Sequence, residues 1–401
     1  MNSDNALLID MVRKLCLELS ETEAHADSAA GHSTAFAGQW QKVEDFGLPL
    51  FLLPDDGGGF GGNWAQAAQL FQLFGEYALP LPIGETIIAR HYLHNAQSLA
   101  SDTAYESLAT DGPLAIAHCS DAVLIAGNSG PELSGSLRNV AMCSPSDLLI
   151  SASIDGDCLL ALLRHDVLAN GDACTITHYN NTAGELRARV RCQRLPVSAL
   201  WRLPSAVNLQ LAGALLRSAQ MSGAMQSILT STINYALERK QFGRAIGKFQ
   251  VIQHDLARLA EQAAATQCAA LNAARAADTE GGPEMAAFEI AAAKLRANMA
   301  VPSITTIAHQ VHGAIGFTLE HPLHRFTQRL FAWRAEFGND RHWARTLGDT
   351  LRGLSGEELW PFLTGRSDRQ VAGSHKPAIS HDQPDHHRIP GADTAAHHSE
   401  A

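Results

Sequence analysis

The feature that most constrains the fold is one long segment, residues 205–355, in which helix-breaking residues are few. Its apolar residues recur at steps of three and four, which is the period of an amphipathic helix. The clearest run, which predicts a buried helical face, is Phe288, Ala292, Leu295 and Met299. Thr279 to Pro283 predicts a loop between two of the helices. Pro302 lies inside the next helical pattern, so we expect it to kink that helix or to sit in the first turn of a new one.

The preceding segments have two different patterns. Residues 1–110 are mostly helical in pattern and include a helix from Trp64 to about Tyr77, directly after the glycine-rich loop Gly57–Gly62. A phosphate-binding loop is one interpretation of these glycines. No strand and no Lys-Ser/Thr pair frames them, however, so a turn between two helices is favoured. Residues 111–200 contain short β-type runs separated by Gly, Asn, Ser and Asp, which is typical of a small antiparallel sheet or barrel.

This order of segments predicts a domain organisation. We expect an N-terminal helical domain at 1–110, a middle β domain at 111–202 and a C-terminal helical bundle at 203–365. Residues 366–401 are polar and have almost no large apolar side chains, so they predict a disordered tail. The tail holds six histidines, which raises the alternative of metal binding. Nothing in their spacing fixes them on a scaffold, so we predict no metal site.

Charge and cysteine usage narrow the function classes. The formal net charge of −11 argues against nucleic acid or an acidic membrane surface as a general partner. No stretch approaches the roughly 18 consecutive apolar residues of a membrane span, and the first residues lack a secretory pattern. The seven cysteines are scattered, odd in number and without a CxxC pair, so we expect reduced thiols and a cytoplasmic protein.

Two sequence blocks carry the strongest functional signal. The first is YALERKQFGRAIGKFQVIQH at residues 235–254, and the second is QVHGAIGFTLEHPLHRF at residues 310–326. Each resembles a signature of the acyl-CoA dehydrogenase family, and the two occur in the family's order and at its separation. The resemblance implies a mostly α fold with a small β domain, in three parts: an N-terminal helical domain, a middle β-barrel and a C-terminal four-helix bundle.

The same resemblance implies an activity. Family members are FAD-containing oxidoreductases of fatty acid or steroid catabolism that dehydrogenate acyl-CoA thioesters, assemble as tetramers and pass electrons to an electron-transfer flavoprotein. That reaction needs a carboxylate to remove the α-proton, a flavin to take the β-hydride, and hydrogen bonds that polarise the thioester carbonyl.

The first block implies contacts with FAD. Arg239 resembles the family's arginine that reaches the FAD of a neighbouring subunit, and its guanidinium is a rigid fork of donors suited to phosphate. Beside it the resemblance implies Gln241 and Phe242, and near the adenine Phe249 and Gln250. From charge alone, the alternative is that Glu238 and Arg239 form only a solvated helix end.

The second block resembles the family's QxxGG segment, which approaches the adenosine part of FAD across the dimer interface. Its implied contact residues are Gln310, His312, Gly313 and Ala314. Gly313 is kept, whereas Ala314 replaces the second glycine and could impair the close approach of the backbone. We interpret His312 as a packed or hydrogen-bonded histidine, because the family does not use this position for proton abstraction.

The β segment departs from the family. Relatives have a Thr-Glu-Pro-Gly-(x)-Gly-Ser-Asp segment that donates hydrogen bonds to the flavin, and the corresponding residues here, 117–127, read AHCSDAVLIAG. Relatives also have a Trp-Ile-Thr/Ser-Asn run beside the flavin ring, and residues 139–144 contain no tryptophan. The flavin-ring contacts are therefore expected to be eroded.

The catalytic base is also missing from its usual positions. Phe337 stands where many relatives have the base glutamate, and Glu336 is one residue early. The family's second base position falls near Gly213–Ala214, and no carboxylate lies between Asn208 and Leu237. Glu336 is the nearest remaining candidate base. The alternative is that Glu336 is a surface or interface carboxylate, since a misplacement of about 1 Å costs on the order of 100-fold in rate.

Three hypotheses follow. In the leading one, the chain resembles the degenerate subunit of heteromeric bacterial acyl-CoA dehydrogenases that act on bulky substrates such as steroid side-chain thioesters. A second acyl-CoA dehydrogenase-like chain would then supply the base. The first alternative is a self-sufficient homotetramer that uses Glu336. The second alternative is a flavin-free scaffold that keeps the fold for association only.

Overall fold

The structure is a computed structural model. It describes residues 3–23, 34–99, 112–119, 123–127, 130–141, 146–154, 157–169, 171–203, 207–278 and 282–368. By chain contacts it divides into one large unit, 1–354, and a second unit that begins at Ser355. In the second unit the described element is helix α11, Gly356–Asp368. The last residues of α11 overlap the first residues of the predicted tail at 366–401, which stays a prediction. Residues 369–401, with their histidines, lie outside the described part.

The N-terminal part is helical, as the apolar periodicity predicts. Its helices are α1 (Ser3–Glu23), α2 (Thr34–Asp45), α3 (Trp64–Glu76) and α4 (Ile83–Leu99). Asn63 caps α3, because its side chain accepts a hydrogen bond from the backbone of Gln66. Before this cap, a Cβ on Gly59 would overlap the carbonyl of Leu53, so these glycines serve a tight turn between helices.

Strands follow in two four-stranded sheets, and a short helix α5 (His165–Leu168) comes between the fifth and sixth strands of the chain. The first sheet has the order β1 (Leu114–His118), β4 (Asp147–Ile154), β5 (Asp157–Leu163), β8 (Ala199–Leu203). The second has the order β2 (Val123–Gly127), β3 (Gly130–Ala141), β7 (Leu186–Pro196), β6 (Cys174–Asn180). The prediction of an antiparallel sheet was wrong for one pair, because β1 and β4 run parallel. Such pairing requires a long connection, which β2 and β3 provide.

Side-chain alternation explains why the first sheet is buried on both faces. Leu114 and Ile116 of β1 pack into the core shared with the helices. Ala115 and Ala117 face the second sheet, where they meet Val190 and other apolar residues. Successive strand residues point to opposite faces, so one short strand contributes to two cores. His118 follows in the register of Leu114 and Ile116, on the helix side.

The C-terminal part is a bundle of long helices. They are α6 (Leu209–Glu238), α7 (Gln250–Ala277), α8 (Ala287–His312), α9 (Leu323–Ala335) and α10 (Asp340–Arg352). A small hairpin of β9 (Lys240–Gln241) and β10 (Arg244–Ala245) joins α6 to α7. Pro302 lies within α8, which continues through it, so it does not start a new helix.

The predicted buried face of α8 was wrong. Met299 is 59% exposed, and Phe288, Ala292 and Leu295 are only partly buried. The buried residues of α8 include five alanines and the polar Lys294 and Asn298, beside isoleucines and valines. The expected run of large apolar side chains lies on the neighbouring face, because alanines and polar groups fill much of the buried face.

Close helix packing is also visible where α3 crosses α6. A Cβ on Gly75 would overlap the carbonyl of Gln220, and a Cβ on Gly223 would overlap the carbonyl of Gln72. The two glycines thus let the two backbones touch. This contact fixes α6 against the N-terminal helices and so sets the position of the residues at its beginning.

No described helix is both long and apolar enough to cross a membrane. Within the same described residues, no group of three or more His, Cys, Asp or Glu side chains could hold a metal ion.

Candidate functional site

The predicted FAD-contact residues of the first block lie at the end of α6. Arg239 directly follows the helix and is exposed, and its backbone N–H donates to the carbonyl of Tyr235 at 2.8 Å. The two-residue turn of the hairpin is Phe242-Gly243, with φ of 53° and 78°. Both residues of such a turn need positive φ, which is uncommon for phenylalanine. Phe242 is 91% exposed.

The start of α7 continues this surface. Phe249 is the N-cap of α7 and Gln250 its first residue. The guanidinium of Arg244 lies 4.1 Å from the ring centre of Phe249, and the ring of Phe242 meets the same ring edge-on at 6.1 Å. These contacts hold the hairpin against α7.

The second predicted block lies at the end of α8 and is joined to the first by a ring stack. The rings of Tyr235 and His312 are 4.6 Å apart and nearly parallel. His312 is buried, its Nδ1 donates to the carbonyl of Ala308 at 2.8 Å, and burial lowers its pKa. Gly313 has φ of 62°, which favours glycine. Gln310, Gly313 and Ala314 are exposed beside it.

These predicted contacts therefore share one end of the bundle, which we call the bundle-end surface. Its members are Arg239, Gln241, Phe242, Phe249, Gln250, Gln310, His312, Gly313 and Ala314.

The two family positions for the base also come together. The ring of Phe337 packs on Gly213 so closely that a Cβ on Gly213 would overlap it. Phe337 has φ of 49° and Gly338 has φ of 102°, so the loop turns sharply to direct the ring at α6. At both positions the residue present lacks an ionisable group.

Lys294 holds this loop in place. Its buried ammonium donates to Oδ1 of Asn298 at 2.7 Å and to the carbonyls of Trp333 and Gly338 at 3.0 and 3.2 Å. It thereby joins α8 to the end of α9 and to the loop that follows it. Burial lowers the pKa of Lys294 to about 7.

Glu336 points away from the base positions into a buried ion-pair network. Its Oε1 accepts from Nε of Arg187 at 2.7 Å, and its Oε2 accepts from Nε of Arg217 at 2.8 Å. The residue is 3% exposed, so the interpretation of a surface carboxylate was wrong. Burial would raise the pKa of Glu336, but the two arginines outweigh it and lower the pKa.

The network extends through four more groups. Arg187 also pairs with Glu185 at 2.7 Å, and Glu185 accepts from Arg329 at 3.0 Å. Arg217 pairs with Glu85 of α4 at 2.6 Å and hydrogen-bonds Gln220. Three carboxylates thus face three guanidiniums, and all six side chains are at most 5% exposed. This charge balance is what permits their burial.

The sequence reasoning missed this network. A signal was present, because Arg217 is the only charged residue of α6 before Glu238. A lone charge on an otherwise apolar helix needs a buried partner.

A pocket of about 250 Å³ lies beside Phe337. Its walls come from β1 and β3, from Gln210 at the start of α6, and from Ala335, Phe337 and Gly338. The polar side chains around it are His118, Ser136, Arg138, Asn139 and Gln210. We call it the His118 pocket. Both β segments that depart from the family motifs contribute to it, so the fold unites them with the base positions.

A larger pocket of about 490 Å³ lies on the outer side of α6, between Glu76, Tyr235 and Phe326. It includes none of the predicted site residues.

Comparison with known proteins identifies the class. Residues 210–349 match the family model described as acyl-CoA dehydrogenase, C-terminal domain. The acyl-CoA dehydrogenase IpdE2 of Mycobacterium tuberculosis is 26% identical over 306 residues, which cover 72% of this chain and 79% of the relative. Residues 210–349 thus match an acyl-CoA dehydrogenase C-terminal domain, and the chain resembles oxidoreductases of the acyl-CoA dehydrogenase family over most of its length.

Solved structures agree on the fold. The ChsE4-ChsE5 complex of Mycobacterium tuberculosis contains a chain with a TM-score of 0.76 and 19% identity, covering 89% of this chain and 99% of that one. A variant of the steroid ACAD Tcur3481-Tcur3483 gives a TM-score of 0.74 and 22% identity, covering 87% and 98%. The predicted fold class, mostly α with a small β domain, is confirmed.

Proposed function

We propose that this chain is a subunit of a heteromeric acyl-CoA dehydrogenase, in which it takes part in FAD-linked dehydrogenation of an acyl-CoA thioester without supplying the base. The observation that carries this proposal is the contact between Phe337 and Gly213. Both family base positions meet at this contact, and neither can accept a proton. A second acyl-CoA dehydrogenase-like chain would carry the base.

Glu336 is poorly suited to replace it. A general base needs an oxygen within hydrogen-bond reach of the proton it removes. Both oxygens of Glu336 already accept from buried arginines, which lower its pKa and hence its basicity. Turning the carboxylate toward the His118 pocket would leave Arg187 and Arg217 buried without this partner, at a cost of about 3–5 kcal/mol.

The bundle-end surface fits FAD. Arg239 and Gln310 are exposed donors, and beside Gly313 there is open space for a close approach to the backbone. FAD, when bound, supplies the acceptor for the β-hydride. Arg239 would hold its pyrophosphate, and Phe249 and Gln250 would lie near its adenine.

The length of α6 supports a second chain at this site. Gly213 and Tyr235 are separated along the helix by about 33 Å, from its rise of 1.5 Å per residue. The bundle-end surface and the base positions of one chain therefore lie near opposite ends of α6. A complete site would combine the bundle-end surface of one subunit with the flavin-ring pocket of another.

Exposed apolar side chains support the same arrangement. Phe317 is 73% exposed and Leu319 is 85% exposed, next to the second block, and Val251 is 71% exposed near the first. Apolar side chains of this size at one end of a bundle indicate a surface that another chain covers.

The relatives suggest the substrate class. Because similar structures include one of a steroid ACAD, we propose a bulky acyl-CoA thioester such as a steroid side-chain thioester. An electron-transfer flavoprotein would reoxidise the flavin. The cytoplasmic location stays a prediction from cysteine usage.

The test is expression of the chain alone and together with a neighbouring acyl-CoA dehydrogenase-like gene product. We expect flavin and dehydrogenation with an artificial electron acceptor only in the co-expressed complex. Replacing the partner's base carboxylate by its amide should abolish turnover.

Two other outcomes would overturn the proposal. Activity of the chain alone, lost in Glu336→Gln, would favour the self-sufficient homotetramer. A co-expressed complex that contains no flavin would favour the hypothesis of a flavin-free scaffold.

A further inference from the structure

One histidine in the His118 pocket has its ring orientation set by strand pairing. His118 is the last residue of β1, and its partner in the register with β4 is Ser151. Nδ1 of His118 lies 3.0 Å from Oγ of Ser151. His118 also lines the pocket. Because Nδ1 is turned to Ser151, the opposite edge of the ring, which carries Nε2, is the edge available to a ligand there.

The surroundings of Ser151 determine which ring nitrogen carries the proton. Ser151 is fully buried, and its Oγ accepts the backbone N–H of Leu209 at 3.0 Å. A buried hydroxyl proton needs an acceptor. Among the described residues, the other hydrogen-bond partner of this oxygen is Nδ1 of His118. This arrangement favours a hydroxyl that donates to Nδ1, which places the proton of the neutral ring on Nε2.

The rest of the pocket favours a ligand with acceptor atoms. Among the described residues that line it none carries a carboxylate, whereas Arg138 carries a positive charge. Asn139 Oδ1 accepts from the hydroxyl of Tyr179 at 2.5 Å, which turns its oxygen to the tyrosine and leaves its amide nitrogen as a donor. The N-terminus of α6 lies at the same pocket and adds the positive end of a helix dipole.

We propose that His118, held as the Nε2–H tautomer by Ser151, donates a hydrogen bond to a carbonyl oxygen of the ligand bound in the His118 pocket. Burial, the largest effect, and nearby His342 lower the pKa of His118 and outweigh a hydrogen bond with the backbone of Ser151 that raises it, so the ring is neutral at pH 7. A ring with its proton on Nε2 can donate into the pocket but cannot take a proton there. His118 is thus a binding residue and not a substitute base.

This inference rests on the proposed function, because the carbonyl belongs either to the flavin ring or to the acyl thioester. Both present an electron-rich oxygen. It also changes the expectation of eroded contacts, since the segment that lacks the family's Thr-Glu still provides a donor by another residue type.

The experiment uses the full-length assembly with three variants: His118→Leu, His118→Gln and, as a matched control, His178→Leu on the exposed side of β6. Leucine removes the donor, whereas the amide nitrogen of glutamine can replace Nε2–H. In the first arm, FAD affinity and the visible spectrum are measured without thioester. In the second, octanoyl-CoA is added to the FAD-bound assembly and the spectral change is titrated.

If the flavin carbonyl is the acceptor, His118→Leu weakens FAD binding about 3- to 10-fold, the size expected for one neutral hydrogen bond. The glutamine and His178 variants stay within twofold of wild type. If the thioester carbonyl is the acceptor, FAD affinity is unchanged. The affinity for octanoyl-CoA then falls by about 3- to 10-fold in the second arm. If His118→Leu has the same affinities as wild type in both arms, the inference is overturned. A wild-type assembly without flavin contradicts the proposed function instead.

The tautomer has its own readout. Long-range ¹H–¹⁵N NMR of the imidazole rings distinguishes Nε2–H from Nδ1–H, and the His118 signals are those absent in His118→Gln. An Nδ1–H ring in the wild-type chain would overturn the inference whether or not a ligand binds.

Discussion

Glu336 shows how one position in sequence can change the role of a carboxylate. It is one residue before Phe337, and successive residues of a sharp turn point in different directions. Phe337 meets α6, whereas Glu336 enters the charge network. The two roles, base and ion-pair partner, are therefore separable by experiment.

We expect Glu336→Gln to leave turnover of the assembled complex within a few-fold of wild type, because the residue does not face the reacting atoms. The same change removes the negative charge that pairs with two buried arginines. It should therefore lower the free energy of unfolding by about 3–5 kcal/mol. Rates per folded complex and denaturant midpoints measure the two effects. Glu261→Gln, at an exposed position of α7, is the control. A rate loss of 10²- to 10⁴-fold with assembly intact would make Glu336 the base.

Arg239→Ala should weaken FAD binding by roughly 1.5–3 kcal/mol, or about 10- to 100-fold, because a charge-assisted hydrogen bond to phosphate is lost. Flavin content after gel filtration and FAD titration measure it. Arg345→Ala is a matched control, since its side chain is 82% exposed on α10. Equal affinity of the two variants would remove Arg239 from the site.

At the scale of the elements, the crossing of α3 and α6 positions the site. Gly75 and Gly223 let the helices approach to backbone contact, and α6 then carries Gly213 and Arg217 to the base loop. Small residues at a helix contact are not a hydrophobic signal in the sequence. The close approach is visible only when both helices are present.

We expect Gly75→Ala to lower the free energy of unfolding by at least about 2 kcal/mol, because the methyl group forces two backbones apart. Gly38→Ala is the control: Gly38 lies in α2 with nothing near its Cβ position, so alanine there should stabilise by about 0.5–1 kcal/mol. Urea unfolding of both variants measures the difference. Equal effects would mean that the crossing is loose in solution.

At the scale of the whole molecule, the charge network ties the parts together. Glu85 comes from the N-terminal helices, Glu185 and Arg187 from the strand region, and Arg217 and Arg329 from the bundle. Breaking one pair therefore loosens contacts between distant parts of the chain. The division into three domains at 110/111 and 202/203 stays a prediction.

Stability should depend on pH through this network. Burial raises the pKa of Glu185, but Arg187 and Arg329 outweigh it and bring the pKa to about 2, against 4.5 for the ordinary side chain. The contribution of Glu185 is then fully present above pH 4.5 and is lost as the pH falls toward 2, by about 3 kcal/mol. Urea midpoints from pH 6 to pH 2.5 should fall more steeply in wild type than in Glu185→Gln. Parallel slopes would contradict a paired Glu185.

The sequence by itself determined the helix-strand-helix order, the family resemblance and the fold class. These depend on local periodicity and on short blocks such as residues 235–254, which hold their information in neighbouring residues. It also identified Phe337 and Gly213 as positions without a base, through the resemblance.

Only the tertiary structure decided what surrounds those positions. Glu336 meets Arg217 and Arg187 across 119 and 149 residues of sequence, and no local pattern encodes such a pairing. The buried face of α8 and the pairing of His118 with Ser151 depend in the same way on elements distant in sequence. Whether a polar group is exposed, paired or directed into a pocket is set by which distant elements pack against it, and that is decided only when the chain folds.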